Sequence, residues 1–491
     1  MQAAGPTTLA PPRANRASAG SLPVRAGVLR VLGALGLLGV LAALVAIELE
    51  AAAAPTPYVP SDTNGWPAWL AGPLRGAIST HLTPDRFQLL IAVMSAGYLI
   101  ALASARWLGV RALAAAVLLA HVAVLLGPPL LSQDVFGYLS FARLGALHGL
   151  DPYTHIPAEA PKDPTFGFIG WPLAHSPYGP LFTLASYATA PLGLAAGLWS
   201  FKALAAVCSL LAIWFTARAT ERNGGSAASA VALLGLNPVL LVLAVGGAHN
   251  DMLLLALAAA ALLLSAGAAA RPRAAAVALA AGVGVKLTAG LLLPFLVLGA
   301  RGWRERWRIA VAGALGLAAV AVIGVIGFGP HVLGFLGAIG EQQEMVATHS
   351  VPAETARLFG LSGTPGWWRG LWGATFLIVL AFALWRTARG ADWRIAGGWT
   401  TLALLLGTAW LLPWYAVWVL PLAAVGNDRR LRWAAILFCA YAMLIHLPFA
   451  NPVLSPGASR VVPRAAVSST GKGLELAGLE VLRHVHLDLR W

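Results

Sequence analysis

Three short stretches carry side chains whose types could do chemistry. The first, LLSQDVFGYLSFARLGALHGLDPYTHIP at 130–157, sets Asp134 just after a long apolar run and follows it with an aromatic segment holding Tyr138, Arg143 and His148. A carboxylate at such a boundary can serve as a general base that takes a proton from an attacking hydroxyl. Aspartate at a helix start is also a common cap, so position alone leaves both readings open. Tyr138, four residues on, shares a helical face with Asp134. The second stretch, GGAHNDMLLL at 246–255, puts His249, Asn250 and Asp251 between two apolar runs. Three adjacent polar groups there are either turn chemistry or part of a site. The third is GVKLTAG, with Lys286 in mid-segment and no acidic neighbour in sequence. An ammonium at membrane depth is costly and faces a cavity or a partner. It can hold a phosphate as a point charge or pair with a carboxylate remote in sequence.

Other motifs read as walls. SPYGPLF at 176–182 brings Tyr178, GLDPY at 149–153 adds a turn, and LLPWYAVW brings Pro413, Trp414 and Tyr415. Such proline, glycine and aromatic punctuation shapes a cavity at the ends of helices. The loop 341–354, with Glu341, Glu344, His349 and Glu354, reads either as a mobile loop beside the site or as a solvated one. The chain has no Walker A loop, no Gly-rich dinucleotide turn and no HExxH. It also lacks an aspartate pair spaced one apart that could grip a metal–nucleotide. No nucleotide site or cofactor is therefore expected. Cys208 and Cys439 both lie in apolar runs and read as core residues, with no disulfide framework or zinc pattern.

These residues need a scaffold, and the composition says which kind. The 491 residues are 59% hydrophobic and 11% charged, with a mean hydropathy of +0.76, whereas a soluble domain carries about 25% charged residues. Apolar runs fall near 27–47, 88–105, 110–130, 180–196, 199–217, 227–247, 251–268, 274–300, 308–328, 370–386, 395–425 and 433–448. The expectation is an all-α polytopic membrane protein with about 11 to 14 transmembrane or re-entrant helices. Its parts would be a basic cytoplasmic tail at 1–26, a membrane domain at 27–450 and a tail at 451–491. The N-terminal arginines before the run 27–47, with AAAA behind it, resemble a signal peptide. That run is long for an h-region, so an uncleaved first span is expected.

The net charge of +14 comes from arginines in short clusters between the runs, the positive-inside pattern rather than a nucleic-acid footprint. Arg13 to Arg30, Arg106/Arg111, Arg218/Arg222, Arg271/Arg273, Arg301 to Arg308, Arg386 to Arg394 and Arg429 to Arg432 are expected on the cytoplasmic side. Loops 48–87, 131–179 and 329–369 then lie outside. Segments 274–300 and 395–425 are flanked by basic clusters at both ends. Each is expected to fold back as two short helices joined at a tip, a break tolerated where it lines a protein cavity. The segment 180–196 is expected to re-enter from outside. No fixed-period repeat is present.

QDVFGYLSFARLGALHGLDPY after an early span, then SPYGPL, GGAHNDMLLL, GVKLTAGLLLPF and LLPWYAVWVLPL, together resemble integral-membrane C-type (GT-C fold) glycosyltransferases. Most similar are the actinobacterial polyprenol-phosphate-mannose-dependent α-1,6-mannosyltransferases of lipomannan synthesis, over about residues 85 to 450. The resemblance implies a polyprenyl-phosphate sugar donor, a lipid-linked glycan acceptor and a multi-pass enzyme of the plasma membrane acting on its extracytoplasmic side. It matches Asp134 by position to the family's general base. Transfer would invert the anomeric centre. Lys286 or Arg143 would hold the donor phosphate. His249 and Asp251, with Tyr138, Asn250, Tyr178, Trp414 and Tyr415, would orient the substrates. Many members carry the key acid in the loop after the first span, where this chain offers Asp62 and Asp85. Those two lack the aromatic helix pattern that follows Asp134. An arabinosyl- or other hexosyltransferase, or a lipid or sugar transporter with broken helices, are the alternatives.

Overall fold

Seventeen α-helices and no strand run through the described residues of the computed structural model, which cover 21–61, 66–445 and 447. Most of the basic tail, Asp62 and the tail 451–491 lie outside them. Helix α1 (Ser21–Ala53) packs antiparallel to α2 (Pro84–Leu108). Gly36 and Gly97 let the two backbones touch, since a Cβ on Gly36 would sit 2.7 Å from the Gly97 carbonyl. Small residues are the usual means of close helix approach in membranes. The next helices are α3 (Val110–Leu126), α4 (Asp134–Ala146) and the short α5 (Pro180–Ser186). A 3-10 turn at Tyr187–Leu192 leads from α5 directly into the long α6 (Gly193–Arg222). Segment 180–196 is therefore an entry piece to α6 and does not cross on its own.

Helix α7 (Ala227–Gly235) bends by 50° into a π-helical turn, Val239–Val245, before α8 (Asp251–Leu264). The run 274–300 splits as expected into α9 (Pro272–Val283), a break around Gly284–Lys286, a 3-10 turn at Leu287–Leu292 and α10 (Leu293–Leu298). Helix α11 (Trp303–Phe328) is followed by α12 (Gly334–Glu344), α13 (Val351–Leu358) and α14 (Gly366–Ala388). The run 395–425 also splits, into α15 (Trp393–Gly407), a 3-10 turn at Pro413–Val419 and α16 (Leu420–Val425). Helix α17 (Arg429–Leu444) closes the bundle.

Among the described residues five helical stretches are long and apolar enough to cross a membrane, and the bent α7 pair makes a sixth. Shorter apolar helices are α3, α8, α9, Leu287–Leu298 and Pro413–Val425. Leu315, Ile326, Ile378 and Phe382 point outward from α11 and α14 with more than half their surface uncovered, the kind of apolar surface that hydrocarbon covers. Cys208 and Cys439 are buried and unpaired.

Four of the basic clusters, Arg218/Arg222, Arg271/Arg273, Arg301 to Arg308 and Arg386 to Arg394, meet at one end of the bundle. Arg222 donates to the Leu263 carbonyl, Arg273 pairs with Glu305 at 3.1 Å, and Arg306 donates to the carbonyls of Ala300 and Ala388. The 14 residues of α8 separate this end from Asp251, a rise of about 20 Å.

Candidate active site

Asp134 is presented by a tightly held elbow between α3 and α4. Lys202 of α6, fully buried, donates from Nζ to the Pro128 carbonyl at 3.0 Å. The N–H groups of Leu130 and Leu131 donate to the carbonyls of Gly246 and Tyr58. Leu131 adopts φ 60°, a conformation an L-residue keeps only when its surroundings impose it. The Asp134 N–H is satisfied by Ser132 Oγ at 3.1 Å, and no helix N–H bonds to the Asp134 carboxylate. The carboxylate is thus not spent as a cap. Its Oδ2 lies 3.3 Å from Nδ1 of His249, a ring with no exposed surface. That ring stacks on Trp414 with centroids 3.7 Å apart. Both His249 nitrogens lack an aligned hydrogen bond.

Tyr138 and Asn250 hold the neighbouring turn. The Tyr138 hydroxyl donates to Asn250 Oδ1 and accepts from the Asn250 N–H, both at 3.3 Å. Rings of Tyr178, Phe182 and Phe201 enclose it. Asp251, the first residue of α8, is buried, and its Oδ1 accepts from Lys286 Nζ and from Trp418 Nε1, each at 2.9 Å. Its Oδ2 is buried without a partner. The remote carboxylate for Lys286 therefore exists, 35 positions away in sequence. Lys286 Nζ also sits 4.2 Å from the Tyr415 ring centroid and 5.1 Å from that of Trp418.

The break that frees Lys286 is built by the SPYGPL stretch. The N–H groups of Gly179 and Leu181 donate to the carbonyls of Val285 and Gly284, at 2.9 and 2.8 Å. This supplies the partners that a broken helix in a membrane needs. Gly179 must be glycine, because a Cβ there would collide with the Gly284 carbonyl.

Asp134, Tyr178, Lys286 and Tyr415 all line one cavity of ≈ 350 Å³. Tyr138, His249, Asn250, Asp251 and Trp414 stand behind these walls. Arg143 is absent from the lining. Its Nε grips both carboxylate oxygens of Asp163, and its Nη1 donates to the Ala190 carbonyl. His148 bonds the same carboxylate at 2.8 Å. Burial by itself would raise the Asp163 carboxyl; hydrogen bonds from Thr165 and His148 and the Arg143 charge outweigh it and hold the group below its usual range. Asp85 is exposed in the first turn of α2, away from the cavity.

Several wall residues escaped the sequence reading. Trp418 follows Tyr415 by three positions and stacks on it at 4.4 Å, because in a 3-10 turn residues three apart eclipse. Reading LLPWYAVW as 3-10 would have found it. Trp171, His175, Gln342, Gln343 and Trp410 come from two loops and α12, and nothing periodic announces them. In the loop 341–354, Glu341 pairs with His175 and His349 with Glu354. Among the described residues no group of three His, Cys, Asp or Glu could hold a metal ion.

A carboxylate and an ammonium opening on one aromatic cavity can take a proton and hold an anion in the same space. The family model described as "Alpha-(1->6)-mannopyranosyltransferase, N-terminal domain" matches residues 30–301, more than half of the chain and the part holding Asp134, residues 249–251 and Lys286. A Mycobacterium tuberculosis protein named alpha-(1->6)-mannopyranosyltransferase A is 29% identical over 66% of this chain and 67% of its own length. A Mycolicibacterium smegmatis protein named probable alpha-(1->6)-mannopyranosyltransferase is 28% identical, over 64% and 65%. Corynebacterium glutamicum alpha-(1->6)-mannopyranosyltransferase B is 27% identical, over 66% and 60%. The chain thus spans about two thirds of the length of these relatives. No solved structure matches it.

Proposed function

Because the chain belongs to the α-(1→6)-mannopyranosyltransferase family, we propose that it transfers mannose from a polyprenyl-phosphate donor to a lipid-linked mannan at the outer face of the plasma membrane. The observation that carries this reading is that Asp134 and Lys286 open on the same cavity. The acceptor 6-hydroxyl attacks the anomeric carbon of the donor while Asp134 takes its proton. A bond forms from the acceptor oxygen to that carbon as the bond from the carbon to the phosphate oxygen breaks. The electron pair leaves with the polyprenyl phosphate, whose charge Lys286 stabilises. Attack opposite the leaving group turns a β-linked donor into an α-linked product.

The surrounding residues fit these roles. His249, fixed by its stack on Trp414, orients the Asp134 carboxylate. Asp251 and Trp418 hold the Lys286 ammonium at the cavity wall. Charge supports this sidedness: four of the arginine clusters gather at the end of the bundle remote from Asp251, and basic clusters tend to stay cytoplasmic. A lipid-linked donor also needs no nucleotide site, in keeping with the motifs.

The test is transfer by the purified protein in lipid, offered radiolabelled polyprenyl-phosphate mannose or polyprenyl-phosphate arabinose with a short α-1,6-mannoside. Mannosylated product with a new α-1,6 bond is expected. Product from the arabinose donor alone would replace the sugar. Donor moved across the bilayer without product would make the protein a carrier.

A further inference from the structure

The cavity has two chemically different ends. On one side of Lys286, the 3-10 turn Leu287–Leu292 runs back toward the arginine end, and Thr288, Leu291 and Leu404 line the wall. These three residues and Trp418 are shared with a smaller pocket of ≈ 40 Å³ lined otherwise by aliphatic side chains such as Leu254, Leu255 and Leu292. An apolar chain fits there. At the other end stand Trp171, Trp410, His175, Gln342 and Gln343.

From this asymmetry we propose that the Trp171–Trp410 end is a subsite for acceptor sugars beyond the one that reacts, the indoles giving a stacking face and the two glutamines hydrogen bonds to ring hydroxyls. The inference rests on the transferase reading above. The indoles stand edge to face, with centroids 5.5 Å apart at 80°, and Trp171 is 44% exposed. Trp410 Nε1 is buried without a partner. The side-chain amides of Gln342 and Gln343 make no hydrogen bond among the described residues, yet their helix end is fixed. Arg369 Nη1 donates to the Gln343 and Glu344 carbonyls, and Glu341 pairs with His175 across the loop. Fixed elements carrying uncommitted polar groups beside aromatic faces are what a ring with apolar faces and a hydroxyl rim requires. A lipid tail would leave those groups unpaired.

The place is also right for an acceptor. The loop bearing Trp171 packs on the residue before the base: a Cβ on Gly170 would lie 2.6 Å from Gln133 Oε1. A glycan seated on Trp171 therefore runs past Asp134, where its terminal hydroxyl must lose its proton.

The experiment compares wild type, Trp171→Ala, Trp171→Phe and the double variant Gln342→Ala/Gln343→Ala in lipid. Donor is saturating, and the acceptors are methyl α-mannoside and α-1,6-linked mannobiose, mannotriose and mannotetraose. Wild type is expected to show a KM that falls with acceptor length. Trp171→Ala and the double variant should raise the mannotriose KM about tenfold, flattening that dependence, while the donor KM moves less than twofold. Trp171→Phe, which keeps a ring, should recover most of the length preference. Equal KM changes for all acceptors, or a change confined to the donor KM, would overturn the subsite while leaving the transferase reading standing. Failure of wild type to mannosylate any acceptor would remove the transferase reading, and the subsite with it.

Discussion

Asp134 Oδ2 lies 3.3 Å from Nδ1 of His249, although 115 residues separate them and only the His249 ring is fully sealed from solvent. The carboxylate faces the cavity on one side and a fixed imidazole on the other. Asp134→Asn keeps the shape and removes the proton acceptor. Transfer should fall at least about a hundredfold, with an unchanged elution profile in detergent as the control for folding. His249→Phe keeps the stack on Trp414 and removes the nitrogen. Its loss should be smaller, about tenfold, because the 3.3 Å contact it removes is a polar approach and not an aligned hydrogen bond. A near-normal rate for Asp134→Asn would move the base elsewhere.

The Lys286–Asp251 pair makes a second prediction, in which stability and activity separate. Removing one member of a buried pair costs about 3–5 kcal/mol, because the other charge is left uncompensated. Lys286→Met should therefore lower the thermal midpoint as well as weaken donor use. The double variant Lys286→Met/Asp251→Asn should recover much of the midpoint, since neither charge remains, and still show a raised donor KM. Recovery of donor use together with stability would mean that Lys286 is structural and holds no phosphate. Thermal melts and donor titrations on the three proteins decide it.

The two folded-back segments were legible because charge is a strong local signal. Arginines flank 274–300 and 395–425 at both ends, the pattern that predicts a return to the same side. Lys286 stood out for the same reason, as a lone cation in an apolar run. Asp251 as its partner was not legible, because the contact spans 35 residues and depends on how α8 meets the break in the α9 run. Arg143 looked available for a phosphate until the fold brought Asp163 and the Ala190 carbonyl to it. The Trp171 and Gln342 walls were hidden too. Trp171 sits on an irregular loop and Gln342 at the end of the short α12, and their positions are set by single contacts such as His175 with Glu341, not by any period in the sequence.

Gly179 gives a prediction about the scaffold. A Cβ there would collide with the Gly284 carbonyl oxygen, and the bare Cα lets Gly179 and Leu181 bond the open backbone of the break. Gly179→Ala forces the two segments apart. Overpacking of this kind costs about 1–3 kcal/mol, and here it also strips backbone partners at membrane depth. A lower thermal midpoint and a weaker donor affinity should appear together, because Lys286 sits on the displaced strap. An unchanged midpoint would show that the contact is slack.

The loop 147–179 carries its own titratable clasp, Asp163, with Thr165, His148 and Arg143 around it. Burial opposes ionisation of its carboxyl, but the hydrogen bonds and the guanidinium win, and its folded pKa lies below the free value. A carboxylate lowered in the folded state stabilises above its unfolded pKa and loses that contribution as pH falls through the folded one. The clasp should therefore hold unchanged from neutral pH to about pH 5 and fail only below about pH 4, the free aspartate value. Hydrogen exchange at the Thr165 and Phe166 amides, quenched and read by mass spectrometry across that range, follows it directly. Asp163→Asn should raise exchange at neutral pH and remove the acid transition. Since this loop also carries Trp171, the same variant should weaken use of long acceptors before it affects the donor. Loosening of the wild-type loop between pH 7 and 5 would show that a group other than Asp163 controls the clasp.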